Sequence, residues 1–89
     1  MPEISRFYGI IIAMYWERMT EHHSAHFHAI YNEFDCKYSI PELNIMEGSL
    51  PNKAHRMVIS WAKKHIKELE TNWNMALNNE PLKKIEPLL

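Results

Sequence analysis

From Phe7 to Trp16 the chain is almost unbrokenly apolar: Phe7-Tyr8-Gly9-Ile10-Ile11-Ile12-Ala13-Met14-Tyr15-Trp16. β-Branched and aromatic side chains dominate the run, so it reads as one strand buried on both faces and central in its sheet. The stretch from Glu17 to Ala25 is polar and reads as a loop. From His26 to Ile40 apolar and polar positions alternate, and Asn32-Glu33, where asparagine tolerates positive φ, divides the segment into a hairpin. That register gathers Phe27, Ala29, Tyr31, Phe34, Cys36, Tyr38 and Ile40 on one face. His26, His28, Ile30, Asp35, Lys37 and Ser39 take the other. The apolar set belongs to the core, so His26 and His28 are expected to point away from it, with Lys37 and Ser39 as cross-strand neighbours.

Pro41 ends this strand, and Asn44 to Gly48 reads as a short edge strand or extended turn. Ser49-Leu50-Pro51 reads as a helix start, with Ser49 as N-cap and proline accepted in the first turn. From Asn52 to Asn78 the positions Ala54, Met57, Val58, Trp61, Ala62, Ile66, Leu69, Trp73, Ala76 and Leu77 recur at helical spacing. This predicts one long amphipathic helix, ended by Asn78-Asn79 and Pro81. The tail from Leu82 to Leu89 is apolar enough to dock, through Ile85. The expected class is α+β: a small antiparallel sheet of three to four strands packed against one long C-terminal helix. Its polar face would be left open.

Length and composition narrow this picture. Eighty-nine residues make a single domain, 1–89. With 46% hydrophobic residues and 2 glycines, the chain should form a packed globule. A domain of this size buries only about 60–65% of its unfolded surface, so a homodimer or a bound partner would add stability. The formal net charge of −1 argues against a protein held to nucleic acid by overall charge. The single cysteine, Cys36, cannot form an internal disulfide and sits on the predicted core face, which fits a buried thiol in a reducing cytosol. The run from Phe7 to Trp16 lacks a basic n-region and a cleavage site, and is too short to span a bilayer as a helix. A cytoplasmic protein without membrane association is expected.

The candidate chemistry begins with histidine. Four of the six histidines fall in the run His22-His23-Ser24-Ala25-His26-Phe27-His28. Imidazole titrates near neutrality and can pass protons or bind metal. His26 and His28, two apart on a strand, aim their rings the same way, and His22 can join them from the loop; His23 reads as incidental. Three imidazoles with an open position would also make a divalent-metal site, the alternative to a cofactor-free one. On the helix, His65, Glu68 and Asn72 form a polar stripe beside the apolar seam. It is either structural, bonded to the sheet or a loop, or it meets the histidines and gives His65 or Glu68 a proton-handling or orienting role. Lys53, Arg56, Lys63, Lys64 and Lys67 form a basic side of the helix, diluted by Glu70. That side is either a solvated face or, with Lys37, a track for phosphates. Phosphate-binding glycine loops, Ser-His-Asp motifs and CxxC pairs are absent from the sequence.

Gly9-Ile10, Met14-Tyr15, His22, His26-Phe27-His28 and Leu50-Pro51 also carry a family pattern. It continues through Trp61, His65, Glu68-Leu69, Asn72-Trp73 and Ile85-Glu86-Pro87-Leu88. In these residues the chain resembles a family of small bacterial proteins catalogued as a domain of unknown function, over nearly its whole length. Glu21 stands where that family usually has aspartate, Ser24-Ala25 replaces two prolines, and Asn32 replaces a hairpin glycine. The missing prolines should loosen the loop that carries His22. Genes of the family often stand beside a second small-protein family, and the pair is proposed to act as a type II toxin–antitoxin system. The resemblance therefore implies a toxin neutralised by a cognate antitoxin from the neighbouring gene.

Three functions are consistent with these residues. A toxin acting on RNA would use His22, His26, His28, His65 and Glu68 for acid–base chemistry, and Lys37, Lys63, Lys64 and Lys67 to hold phosphate. A metal-dependent protein would be built on His22, His26 and His28. A non-enzymatic interaction module would bind a partner protein through its open sheet face or edge.

Overall fold

The apolar run from Phe7 folds back on itself. In the computed structural model, which describes residues 2–15 and 24–89, it contributes to two strands, β1 (Glu3–Phe7) and β2 (Ile10–Ala13). Tyr8 and Gly9 turn between them at φ 49° and 79°, the left-handed pair that a tight hairpin demands. The expected single central strand is thus a hairpin. An added Cβ at Gly9 would meet only the Tyr31 ring, at 3.5 Å, so φ rather than space makes glycine useful here.

Three further strands complete an antiparallel meander, β3 (His26–Tyr31), β4 (Phe34–Ser39) and β5 (Ile45–Gly48), in the order β1-β2-β3-β4-β5. The sheet has five strands rather than three or four, the surplus coming from the unforeseen first hairpin. The β3–β4 register is the expected one. Phe27 faces Tyr38, Ala29 faces Cys36 and Tyr31 faces Phe34, while His26 faces Ser39 and His28 faces Lys37. Asn32 takes φ 53° in the turn. The Ile40-Pro41 bond is cis.

The expected long helix is two, α1 (Asn52–Lys64) and α2 (Ile66–Leu77). Pro51 rather than Ser49 is the N-cap of α1, and it offers no side-chain cap. Ala54, Val58, Trp61 and Ala62 turn inward and are buried. The Trp61 ring lies 5.5 Å from Phe7 and 6.0 Å from Phe27, and Tyr38 shares a 2.8 Å hydrogen bond with His55. Burial of Trp61 alone is worth about 3–5 kcal/mol by comparison with large-to-alanine substitutions.

The break falls at His65, where φ is −126° and ψ 25°. The His65 amide donates to the Ala62 carbonyl three residues back, while its own carbonyl starts α2 by accepting from Leu69. Neither proline nor glycine marks the spot. Instead His65 is the N-cap of α2, and Glu68, in its first turn, lies 2.6 Å from His65 Nδ1. A carboxylate there also faces the positive end of the helix dipole.

The chain then reverses after α2 through Asn79, at φ 57°, and runs back as a docked tail. Asn72, 2% exposed, clamps it by donating to the Lys83 carbonyl and accepting from the Lys83 amide, at 2.9 and 3.0 Å. The Ile85 amide donates to Ile4 on β1, and Trp61 Nε1 donates to the Glu86 carbonyl. Ile85 is buried, as expected. No helix among the described residues is long and apolar enough to cross a membrane.

Candidate functional site

The sheet face opposite α1 carries a groove of about 550 Å³, lined by Tyr15, His28, Asp35, Lys37, Glu47 and Gly48. The alternation that sends Phe27 and Ala29 into the core sends His26 and His28 to this face. Their expected openness needs correcting, for His26 is 3% exposed and His28 6%. Trp73 of α2 reaches over the end of β3, and its ring centroid lies 4.9 Å from that of His26. Tyr15, just beyond β2, stacks on His28 at 4.7 Å with the planes 10° apart. His26 in turn stands edge-on to His28 at 5.4 Å.

Hydrogen bonding orients both rings. His26 Nδ1 lies 2.8 Å from the Ser24 carbonyl oxygen, which can only accept, so Nδ1 carries a proton and donates it. His28 Nδ1 lies 3.3 Å from Asp35 Oδ1. A proton on Nδ1 can be donated to that carboxylate, which orients the ring. The bond is long and Asp35 is well solvated, so the pair orients the ring more than it stabilises the fold.

Lys37 lies directly across from His28, with its Nζ 3.5 Å from Glu47 of β5. Lys37 is mostly buried and Glu47 mostly exposed, so the lysine is the fixed member of the pair. Gly48 closes the groove where β5 approaches β4. At φ 81°, a Cβ there would fall 2.0 Å from the Asp35 carbonyl oxygen, so only glycine permits this approach. The groove thus offers a buried, oriented imidazole beside a fixed ammonium, a stacked phenol and two carboxylates.

Of the residues singled out in the sequence, His26, His28 and Lys37 come together here. His65 and Glu68 do not join them. Their contacts are with each other and with Trp61, where they shape the junction of α1 and α2. Asn72 binds the tail. Lys63, Lys64 and Lys67 belong to the helices, and α1 covers the opposite face of the sheet from His28, so Lys37 and the α1 lysines form no continuous phosphate track. His22 and His23 lie outside the described residues. Among the described residues, no three His, Cys, Asp or Glu side chains are arranged to hold a metal ion. Cys36 is buried on the core face, and burial pushes its thiol pKa up, away from nucleophilic use.

Sequence reasoning missed Tyr15, Asp35, Glu47 and Gly48 as groove residues. Asp35 was legible as a diagonal neighbour of His28 across the hairpin. Gly48 was legible only as one of the chain's 2 glycines, at the end of an edge strand. Tyr15 was hidden inside the apolar run.

These features define a small α+β domain with a helical layer on one sheet face and a histidine-bearing polar groove on the other. Residues 9–74 match the family described as a domain of unknown function (DUF4160), and the chain belongs to that family. The matched span begins in the β1–β2 turn and ends just after Trp73, so it contains every residue lining the groove. No curated protein and no solved structure matches the chain.

Proposed function

We propose that this protein is the toxin of a bacterial type II toxin–antitoxin pair, and that its groove cleaves RNA. The observation that carries the reading is His28, stacked on Tyr15 and bonded through Nδ1 to Asp35 in the groove, directly across from Lys37. In this reading the His28 imidazole takes the proton of a ribose 2′-hydroxyl as its oxygen attacks the adjacent phosphorus. The P–O5′ bond breaks, a 2′,3′-cyclic phosphate forms, and solvent in the open groove protonates the departing 5′ oxygen. Lys37 offsets the charge that develops on the non-bridging oxygens. Tyr15 and Asp35 keep the ring in position, and His26 braces it from the side.

Inducible expression with and without the neighbouring gene, followed by RNA integrity analysis, tests the proposal. Growth arrest with RNA cleavage, relieved by the neighbouring gene and by His28→Ala, is expected. Intact RNA during arrest, or full toxicity of a folded His28→Ala protein, would remove the catalytic reading.

A second reading is a non-enzymatic interaction module, favoured by the edge strand β5. All four of its residues are exposed, including Ile45 at 49% and Met46 at 44%. Under that reading, partner binding is indifferent to His28→Ala and weakened by Ile45→Lys.

A further inference from the structure

The outer face of α1 carries Lys53, Arg56, Lys63 and Lys64 and no carboxylate, although the whole chain is slightly acidic. All four cations are exposed, and none makes an ion pair among the described residues. Seven of the chain's eleven carboxylates precede this helix. Charge is therefore segregated, not merely scattered.

The cations also border a second groove, of about 450 Å³, lined by His55, Arg56, Ile59, Ser60, Lys63 and Lys64. Arg56, Ile59 and Lys63 fall three and four residues apart and share one side of the helix. At about 1.5 Å of rise per residue, the two cations sit roughly 5 Å to either side of Ile59 along the axis. The face thus reads cation, apolar, cation. Its centre, Ile59, is half-buried and offers hydrocarbon where a phosphodiester backbone would need a polar group. The one aromatic ring lining this groove, His55, is already stacked on Tyr38 and bonded to its hydroxyl, so nucleic-acid bases would find a poor stacking platform.

We propose that the outer face of α1 is a docking site for an acidic amphipathic helix of a partner protein, with one apolar side chain on Ile59 and carboxylates one turn to either side paired with Arg56 and Lys63. The match is one of charge and period together: the cations stand at i−3 and i+4 of Ile59, and carboxylates at i−4 and i+3 of the apolar residue meet them when the partner helix runs antiparallel to α1. Lys53 and Lys64 widen the positive field and speed the encounter. The site lies across the core from His28, so it stands whether or not the other groove cleaves RNA.

The test uses the full chain and three labelled probes in fluorescence anisotropy: a helical peptide with one leucine flanked a turn away on each side by glutamate, the same peptide with serine for leucine, and polyuridylate. The leucine peptide should bind tightest. Arg56→Glu and Lys63→Glu should each weaken it by about tenfold or more, and Ile59→Ser should reduce it to the level of the serine peptide. Each variant is first checked for an unchanged circular dichroism spectrum; Arg56→Gln and Ile59→Ala serve where a stronger change unfolds the protein. Equal binding of the two peptides would overturn the proposal, reducing the face to a general anion exchanger. Tighter binding of polyuridylate, lost on the same charge reversals, would overturn it in favour of a nucleic-acid surface.

Discussion

Asn72→Ala removes a single side chain that ties α2 to the tail at two points. Asn72 donates to the Lys83 carbonyl and accepts from the Lys83 amide, and only 2% of the residue is exposed. Each hydrogen bond contributes about 1 kcal/mol net. Trimming a buried amide to a methyl adds a packing loss of about 1 kcal/mol. Lys83 itself is exposed, so water can satisfy its backbone once the clamp is gone, and no full desolvation penalty applies. The expected destabilisation is therefore about 3 kcal/mol, roughly 12–24 °C of thermal midpoint for a domain of this size. Thermal unfolding followed by far-UV circular dichroism measures it. Hydrogen exchange at the Ile85 amide, bonded to Ile4, should accelerate in parallel, because the same clamp holds that strand of tail in place. Combining Asn72→Ala with Trp61→Phe, which deletes the donor to Glu86, should give less than the sum of the two losses, since one tail is released only once. A loss below about 1 kcal/mol, or unchanged exchange at Ile85, would refute the idea that Asn72 fastens the tail.

Gly48→Ala should destabilise by about 2–4 kcal/mol in denaturant titration, because its Cβ meets backbone at 2.0 Å, whereas Gly9→Ala, limited by φ alone, should lose about 1 kcal/mol. Equal losses would show that β5 can shift away from Asp35. Asp35→Asn should lower any RNA cleavage by about tenfold to a hundredfold without unfolding the protein, since a neutral amide orients His28 less well; undiminished cleavage would strip Asp35 of that role. Burial raises the pKa of both Cys36 and Tyr38 above the ordinary values of 9.0 and 10.0. The unfolded chain thus releases these protons first, so stability is intact below about pH 9 and falls as pH rises beyond it. Cys36→Ala and Tyr38→Phe should each flatten that alkaline decline in thermal-melt series, and a decline identical in all three proteins would assign it elsewhere.

The β3–β4 hairpin was legible because alternation there is strict and Asn32 can hold the turn. The first hairpin was not. Its turn residues, Tyr8 and Gly9, sit inside an apolar run, and buried β2 side chains such as Ile12 and Ala13 lie on both faces, which erases the period of two. Helical periodicity likewise runs straight through His65, so the pattern that reveals α1 and α2 conceals the joint between them. What locates the joint is a specific contact, His65 with Glu68, and the same spacing on paper also suits a proton-handling pair. For His26 and His28, alternation assigned the face correctly but said nothing of its cover. Trp73 lies far along the chain, in the helix beyond the break that periodicity hides. His28 and Lys37 were readable as a cross-strand pair, while the contribution of Gly48 depends on a backbone approach that no residue pattern expresses.

The two edges of the sheet differ in one respect that bears on assembly. The tail occupies β1 through Ile85 and through Lys84, whose ammonium donates to the Glu3 carbonyl, whereas β5 pairs on one side only among the described residues. A sheet with a single free margin can be extended in one direction. When two copies meet there, like pairs with like about a two-fold axis and both margins are consumed. Growth by strand addition at β5 stops at two, and the tail that braces the helices also obstructs the opposite margin at Glu3 and Ile4.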